Sequence, residues 1–277
     1  MERSMVVTGK SQSTLHNYSR CLAKMALHFN TNPIQLDEDQ VLDYLHYLKT
    51  QKKTPSESFF KHTVYGLRYA YRMEGMPDKR VILPSLERPK KLPIILSKAE
   101  VHRLLMTPKL LKHRLVIGML YGCGLRCFEL QKMLVKDIDF QRQMVHIRQG
   151  KGRKDRYVPL SKHLCRGLQT YLKHEHPAQW LFTGNHPEGK VVPYSQKGVQ
   201  WVVRSARKAA GISKEVTTHT LRHTYATHLL EDGLDIVSIK ELLGHAHIET
   251  TLVYLHVSQM DRQKPFSPLD TLYADKL

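Results

Sequence analysis

Residues 219–257 read HTLRHTYATHLLEDGLDIVSIKELLGHAHIETTLVYLHV, a stretch that gathers more chemically usable side chains than any other in the chain. Its apolar spacing predicts three short amphipathic helices. Leu221, Tyr225 and Leu229 share one face of the first, Ile236, Ile239 and Leu243 one face of the second, and Leu252 and Leu255 begin the third. Gly233 and Gly244 stand where a helix ends in a left-handed residue, and Asp235 is placed to cap the second helix. The polar side matters more. His219 and Arg222 lie one turn apart at the head of the first helix, His245 follows the end of the second, and Tyr254 lies in the third. One small fold can bring an imidazole, a guanidinium, a second imidazole and a phenol together.

The 277 residues suffice for two domains with separate cores, and 41% hydrophobic content is that of a globular chain. No window carries the roughly 20 consecutive apolar residues of a membrane span. The start, MERSMVVTGKSQ, lacks the apolar core of a signal peptide, so a cytoplasmic protein away from membranes is expected. Four scattered cysteines, Cys21, Cys123, Cys127 and Cys165, fit free thiols better than disulfides or a zinc site. The charge is more telling. Lys and Arg number 43 against 25 Asp and Glu, a formal excess of +18 spread along the chain. Such a field attracts polyanions and releases counterions from phosphates, which makes nucleic acid the leading partner; anionic membranes and ribosomal RNA attract the same composition.

Upstream, the first 83 residues read as a helical bundle. Leu15, Tyr18, Leu22, Met25 and Phe29 form one stripe, and Asp37 with Gln40 caps a helix that buries Val41, Leu42, Leu45 and Leu48. Phe60, Val64, Leu67 and Tyr71 line a third helix that Gly75 closes. Residues 84–96, opening PSLERPKKLP, read as a linker, and 97–277 as a second domain with a C-terminal tail. There a capping box at Ser97 and Glu100 precedes an apolar helix over residues 110–121, and Arg126 opens another helix with Glu129 one turn on. Residues 144–148 and 157–160 form a hairpin whose tip carries Lys151, with 137–140 as a third strand. QWLF, residues 179–182, reads as a small strand, and Ser195 starts a helix that ends at Gly211. The fold class is mainly α with a small antiparallel β-sheet.

Arg126 in GCGLRCFEL, Lys151 in GKGRKDRYVPL, His219 and Arg222 in HTLRHTYATHL, His245 in LGH and Tyr254 in TTLVYLHV resemble, in order and spacing, the tyrosine recombinases of the phage integrase family. The similarity is greatest to compact Xer-type and transposon-borne members and runs from about residue 13 to 258. The chain departs from the family at Cys127 and Phe128, where members often carry a small polar residue. The resemblance implies a helical, SAM-like core-binding domain, a mixed α/β catalytic domain, and cleavage and rejoining of double-stranded DNA through a 3′-phosphotyrosyl intermediate. It implies no cofactor, metal or ATP, and a homo-tetramer assembled on two DNA sites.

The chemistry demands the same groups. Breaking a phosphodiester with a protein nucleophile takes an in-line attacker, donors to the non-bridging oxygens and a proton for the leaving oxygen. Tyr254 is the candidate attacker, with an ordinary phenol pKa of about 10 that needs a base at neutral pH. Arg126 and Arg222 present planar forks that hold phosphate. His219, titrating near neutrality, is the natural proton acceptor. Lys151 resembles the family's general acid, and His245 is placed to donate to the phosphate. Standing alone, Tyr254 would read as a core aromatic, Lys151 as a solvated turn charge and Arg126–Glu129 as a surface ion pair; the match at six positions outweighs that. Cys123, Cys127, His223 and His228 receive no task.

Two rivals compete. IKELLGHAHIETTLVYL mimics a helix-turn-helix, as a DNA-binding regulator without catalysis would carry, but such a regulator leaves Lys151 unexplained. A metalloenzyme using His219 and His223 lacks the intervening carboxylate and a third ligand. The two basic parts are expected to clamp duplex DNA. The tail KPFSPLDTLYADKL carries a small apolar stripe for a neighbouring protomer, or for its own domain.

Overall fold

A computed structural model describes residues 11–50, 57–79, 81, 92–148, 155–185 and 188–258, and many of its helices begin where short polar side chains cap them. Helix α1 (Gln12–Phe29) starts at Ser11, whose hydroxyl accepts from the Thr14 amide, and stops at Asn30 with φ of 49°. Ahead of α2 (Glu38–Thr50), Asp37 and Gln40 exchange backbone-to-side-chain bonds of 3.0 and 2.7 Å, the reciprocal box read from the sequence. Helix α3 (Glu57–Met73) buries Phe60, Val64, Leu67 and Tyr71 as expected. Two faces differ from the expectation. On α1, Cys21 is fully buried while Tyr18, Leu22 and Phe29 are only partly so; on α2, Tyr44 replaces Leu42, which is 45% exposed. Because a phenol supplies more apolar area than an isobutyl group, α2 rolls to bury Tyr44 between Val41 and Leu48.

The chain divides into two compact units, Met1–Lys90 and Lys91–Leu277. The second is organised around an apolar helix. After α4 (Lys98–Met106), capped by Ser97 and Glu100 in a reciprocal box, α5 (Leu111–Gly122) buries every residue from Leu115 to Leu120. A helix apolar all round must be packed all round. Its neighbours are α7 (Lys162–Glu175), α8 (Gln196–Ala209) and α9 (Thr218–Glu231). The short α6 (Cys127–Gln131) follows α5 directly.

A three-stranded antiparallel sheet, β1 (Ile138–Asp139), β2 (Met144–Ile147) and β3 (Arg156–Pro159), closes one side. Its register pairs Val145 with Val158, sending both inward, while His146 and Tyr157 stack outside at 4.7 Å. The hairpin is as read; its tip, with Lys151, lies outside the described residues. QWLF is not a strand. Trp180 makes one bridge to Leu134, Leu181 and Phe182 enter the core, and the ladder starts later, as β4 (Thr183–Asn185) paired with β5 (Val191–Pro193). The apolar run signalled burial, but consecutive inward side chains do not follow a strand's alternation.

Helix α10 (Ile236–Leu243) is capped by Asp235, which accepts from the Val237 and Ser238 amides, and ends at Gly244 with φ of 62°. Next come α11 (Glu249–Leu252) and a 3₁₀ turn over Val253–His256. No helix among the described residues is long and apolar enough to cross a membrane. The tail, residues 259–277, lies outside the described residues.

Candidate active site

The site is assembled at the end of α5, where Gly124 bends the chain with φ of 57°. A Cβ there would sit 2.4 Å from the Tyr225 ring, so only glycine admits both the turn and the close approach of α9. Two residues on, Arg126 caps α6, and its amide and Nη1 both donate to Glu129, each at 2.8 Å. This is no surface ion pair. The Glu129 side chain is 4% exposed, and it also accepts Arg156 Nη1 and Nη2 at 2.9 and 2.8 Å. Burial opposes its ionised form, yet the Arg156 bonds and charge, then those of Arg126, hold the carboxyl at about 2.

Arg156, which sequence reading passed over, ties three elements together, since its Nε donates to the Leu242 carbonyl at 2.8 Å. A signal was present. In Arg156-Tyr157-Val158 the arginine shares the phase of the inward-facing valine, and a guanidinium placed inward needs a carboxylate.

Arg222 is 3% exposed, with Nη1 donating to the Gly124 carbonyl at 2.6 Å and Nη2 to that of Leu243. It lies 3.9 Å from Glu129. Burial first, then Arg126, presses its pKa down to about 9, still high enough to keep the charge at neutral pH. Three guanidiniums thus surround one carboxylate, and the positive excess is what a phosphodiester requires. His219, four residues before His223 on α9, is exposed; the protein atoms around its ring, then Arg222 and Arg126, lower its pKa.

His245, just past the Gly244 turn, shares a 2.9 Å hydrogen bond through Nδ1 with the Thr251 hydroxyl. Tyr254 is 1% exposed, its ring packed with Tyr225, Ala226, Leu230, Ile239 and Leu243. Burial raises its pKa, while Arg222 and Arg126 pull the other way. The third helix is therefore turned from its expected face. Leu252 and Leu255 are 38% and 44% exposed, and Thr251 and Tyr254 point inward. The inward pair is the one that finds hydrogen-bond partners, Tyr254 at His223 and Thr251 at His245, which the leucines could not use.

The first helix of the stretch is likewise not one-sided, as Thr218, Thr220, Arg222, Thr224, Thr227 and His228 are buried beside its apolar residues. His228 has a structural place, with Nδ1 at 2.9 Å from the Tyr121 hydroxyl and Nε2 at 3.0 Å from the Leu96 carbonyl. His223 has a more pointed one: its Nδ1 lies 3.0 Å from the Tyr254 hydroxyl. No three His, Cys, Asp or Glu side chains among the described residues are grouped to hold a metal ion. Where the sequence departs from the family, Phe128 stays 48% exposed beneath Lys132, and Cys127 packs against the core.

The phage integrase family pattern matches residues 95–260, and that of the phage integrase N-terminal SAM-like domain matches residues 1–73. The chain belongs to the phage integrase family and is a tyrosine-type site-specific DNA recombinase. Tyrosine recombinase XerA of Thermococcus onnurineus is 34% identical over 93% of this chain and 89% of its own. The crystal structure of XerA recombinase aligns with a TM-score of 0.56 at 28% identity, covering 99% of this chain and 95% of that one. The Tn1549 transposon integrase, solved with transposon right end DNA, shares the fold, with a TM-score of 0.70 at 18% identity over 99% and 96% of the chains. A regulator without catalysis is not favoured.

Proposed function

We propose that the guanidinium cluster formed by α6, β3 and α9 seats one scissile phosphate of duplex DNA, and that Tyr254 from the terminal 3₁₀ turn attacks it. The observation that carries this is the guanidinium cluster beside a buried phenol: Arg126, Arg156 and Arg222 around Glu129, with Tyr254 in the field of Arg222 and Arg126. Arg126 and Arg222 bind the non-bridging oxygens and stabilise the charge that develops on them. Lys151 protonates the leaving 5′ oxygen. His245, oriented by Thr251, donates to the phosphate, and His219 stands exposed on α9. The phosphotyrosyl bond keeps the energy of the broken linkage, so religation needs neither ATP nor a metal.

The proposed substrate is double-stranded DNA, a reading supported by the Tn1549 integrase having been solved with transposon right end DNA. On this reading four chains on two sites carry out the exchange. Residues 1–83 act as the core-binding domain, 84–96 as the linker and 97–277 as the catalytic domain with its coupling tail. The test is to incubate the chain with duplexes from the DNA flanking its own gene and look for adducts that survive denaturant. Stable adducts at one phosphate per strand are expected. Reversible binding with intact strands would return the reading to a regulator.

A further inference from the structure

We infer that His223 accepts the proton of the Tyr254 hydroxyl during strand cleavage, the part the sequence assigned to His219. The inference rests on Tyr254 as nucleophile. Its basis is geometric. His223 Nδ1 is 3.0 Å from the Tyr254 hydroxyl, inside the distance a general base needs, and the two rings lie 5.7 Å apart. The hydroxyl's hydrogen bond among the described residues goes to His223; the His219 ring stands 6.5 Å from that of His223, on the exposed side. Both partners sit on fixed elements. His223 follows Arg222 on α9, a helix buried on nearly every side, and the phenol ring is held by Tyr225, Leu230, Ile239 and Leu243.

The protonation states fit. Burial, then His219 and Arg222, lowers the His223 pKa, while burial raises that of Tyr254, so a neutral imidazole faces an intact phenol. The groups facing His223 are Tyr254 from the terminal 3₁₀ turn and His219 and Arg222 from its own helix. In the step, the Tyr254 O–H bond breaks and its electron pair forms the new P–O bond. The proton moves to Nδ1, making an imidazolium. The bond to the 5′ oxygen breaks, and that oxygen takes a proton from Lys151. On religation the phenol becomes the leaving group and His223 returns the proton, a return that the nearby Arg222 charge favours.

His223→Gln preserves a hydrogen-bond acceptor of similar reach but cannot take a proton. With the full chain and nicked duplexes from its flanking DNA, single-turnover cleavage at neutral pH should fall by about 10²- to 10⁴-fold. The deficit should narrow as the pH rises toward the phenol's own range, because solvent hydroxide then does the work. A rate within a few-fold of the parent, or the same deficit at every pH, would overturn the inference and leave His223 only a support for the ring. Failure of the underlying reading looks different, since then Tyr254→Phe would still form adducts. A measurement on the unaltered chain stands beside these: ¹⁵N chemical shifts should show His223 Nδ1 unprotonated at neutral pH. A protonated Nδ1 donating to Tyr254 would contradict the assignment.

Discussion

Glu129 receives Arg156 through two parallel bonds, Nη1 to Oε1 at 2.9 Å and Nη2 to Oε2 at 2.8 Å, with the two side chains 4% and 9% exposed. A planar fork meets a planar carboxylate away from water, and the same carboxylate receives the Arg126 side chain at 2.8 Å. Glu129 thereby fixes the direction of Arg126, the arginine proposed to bind phosphate, and Arg156 fixes Glu129. Arg156→Met should cost about 3 to 5 kcal/mol of stability, the usual loss when one partner leaves a buried ion pair. Urea unfolding of the parent and the variant measures it, and a loss below about 1 kcal/mol would mean that water already screens the pair.

Acid should loosen the site in a definite window. The Glu129 carboxyl titrates at about 2 in the fold against 4.5 when unpaired. Its ionised form therefore stabilises the fold above the unfolded value, and that contribution fades as the pH falls from there toward the folded one. The size is on the order of 3 kcal/mol. Stability measured against pH should show this loss in the parent and lack it in Glu129→Gln, which is weaker already at neutral pH.

Arg126 and Arg222 should part company on stability while agreeing on catalysis. Alanine at either should slow cleavage by about 10²- to 10³-fold, and the loss in the double variant should fall well short of the product of the two, since both are proposed to serve one phosphate. Arg222→Ala also strands the carbonyls of Gly124 and Leu243, for roughly 1 to 3 kcal/mol each. Arg126, with 21% of its side chain exposed, leaves no such orphans. Thermal unfolding beside single-turnover rates separates the two effects.

Gly124→Ala places a Cβ 2.4 Å from the Tyr225 ring at a φ of 57°, whereas at Gly211, with φ of 64°, nothing stands within 4 Å. The second substitution should cost about 1 kcal/mol of backbone strain, the first about 2 to 4, overpacking included. Equal losses, read by urea unfolding, would mean that α9 moves aside freely.

Much of this was legible in the sequence because it depends on local rules. Ser97 with Glu100, Asp37 with Gln40, Asp235, Gly233 and Gly244 are caps and stops set by residues within one turn, and each lies where its chemistry demands. The hairpin pairing of Val145 with Val158 follows from alternation. What stayed hidden depends on partners distant in sequence. Glu129 looks like a surface residue until Arg156, 27 positions later, arrives beside it, and His223 has no evident task until Tyr254, 31 positions on, places a hydroxyl against it. The face of the last turn departs from the sequence expectation for another reason. Leucines outrank threonine and tyrosine by hydrophobicity, but the hydrogen bonds from Tyr254 to His223 and from Thr251 to His245 favour the polar pair inward.

The central claim is that the Tyr254 oxygen becomes bonded to DNA. Peptide mass mapping of the denaturant-resistant adduct, formed by the full chain on nicked duplexes from its flanking DNA, tests it most directly. The account predicts a single modified peptide spanning Tyr254, bearing a 3′-phosphate nucleotide and absent from Tyr254→Phe. A nucleotide on any other side chain, or an undiminished adduct with Tyr254→Phe, would contradict it.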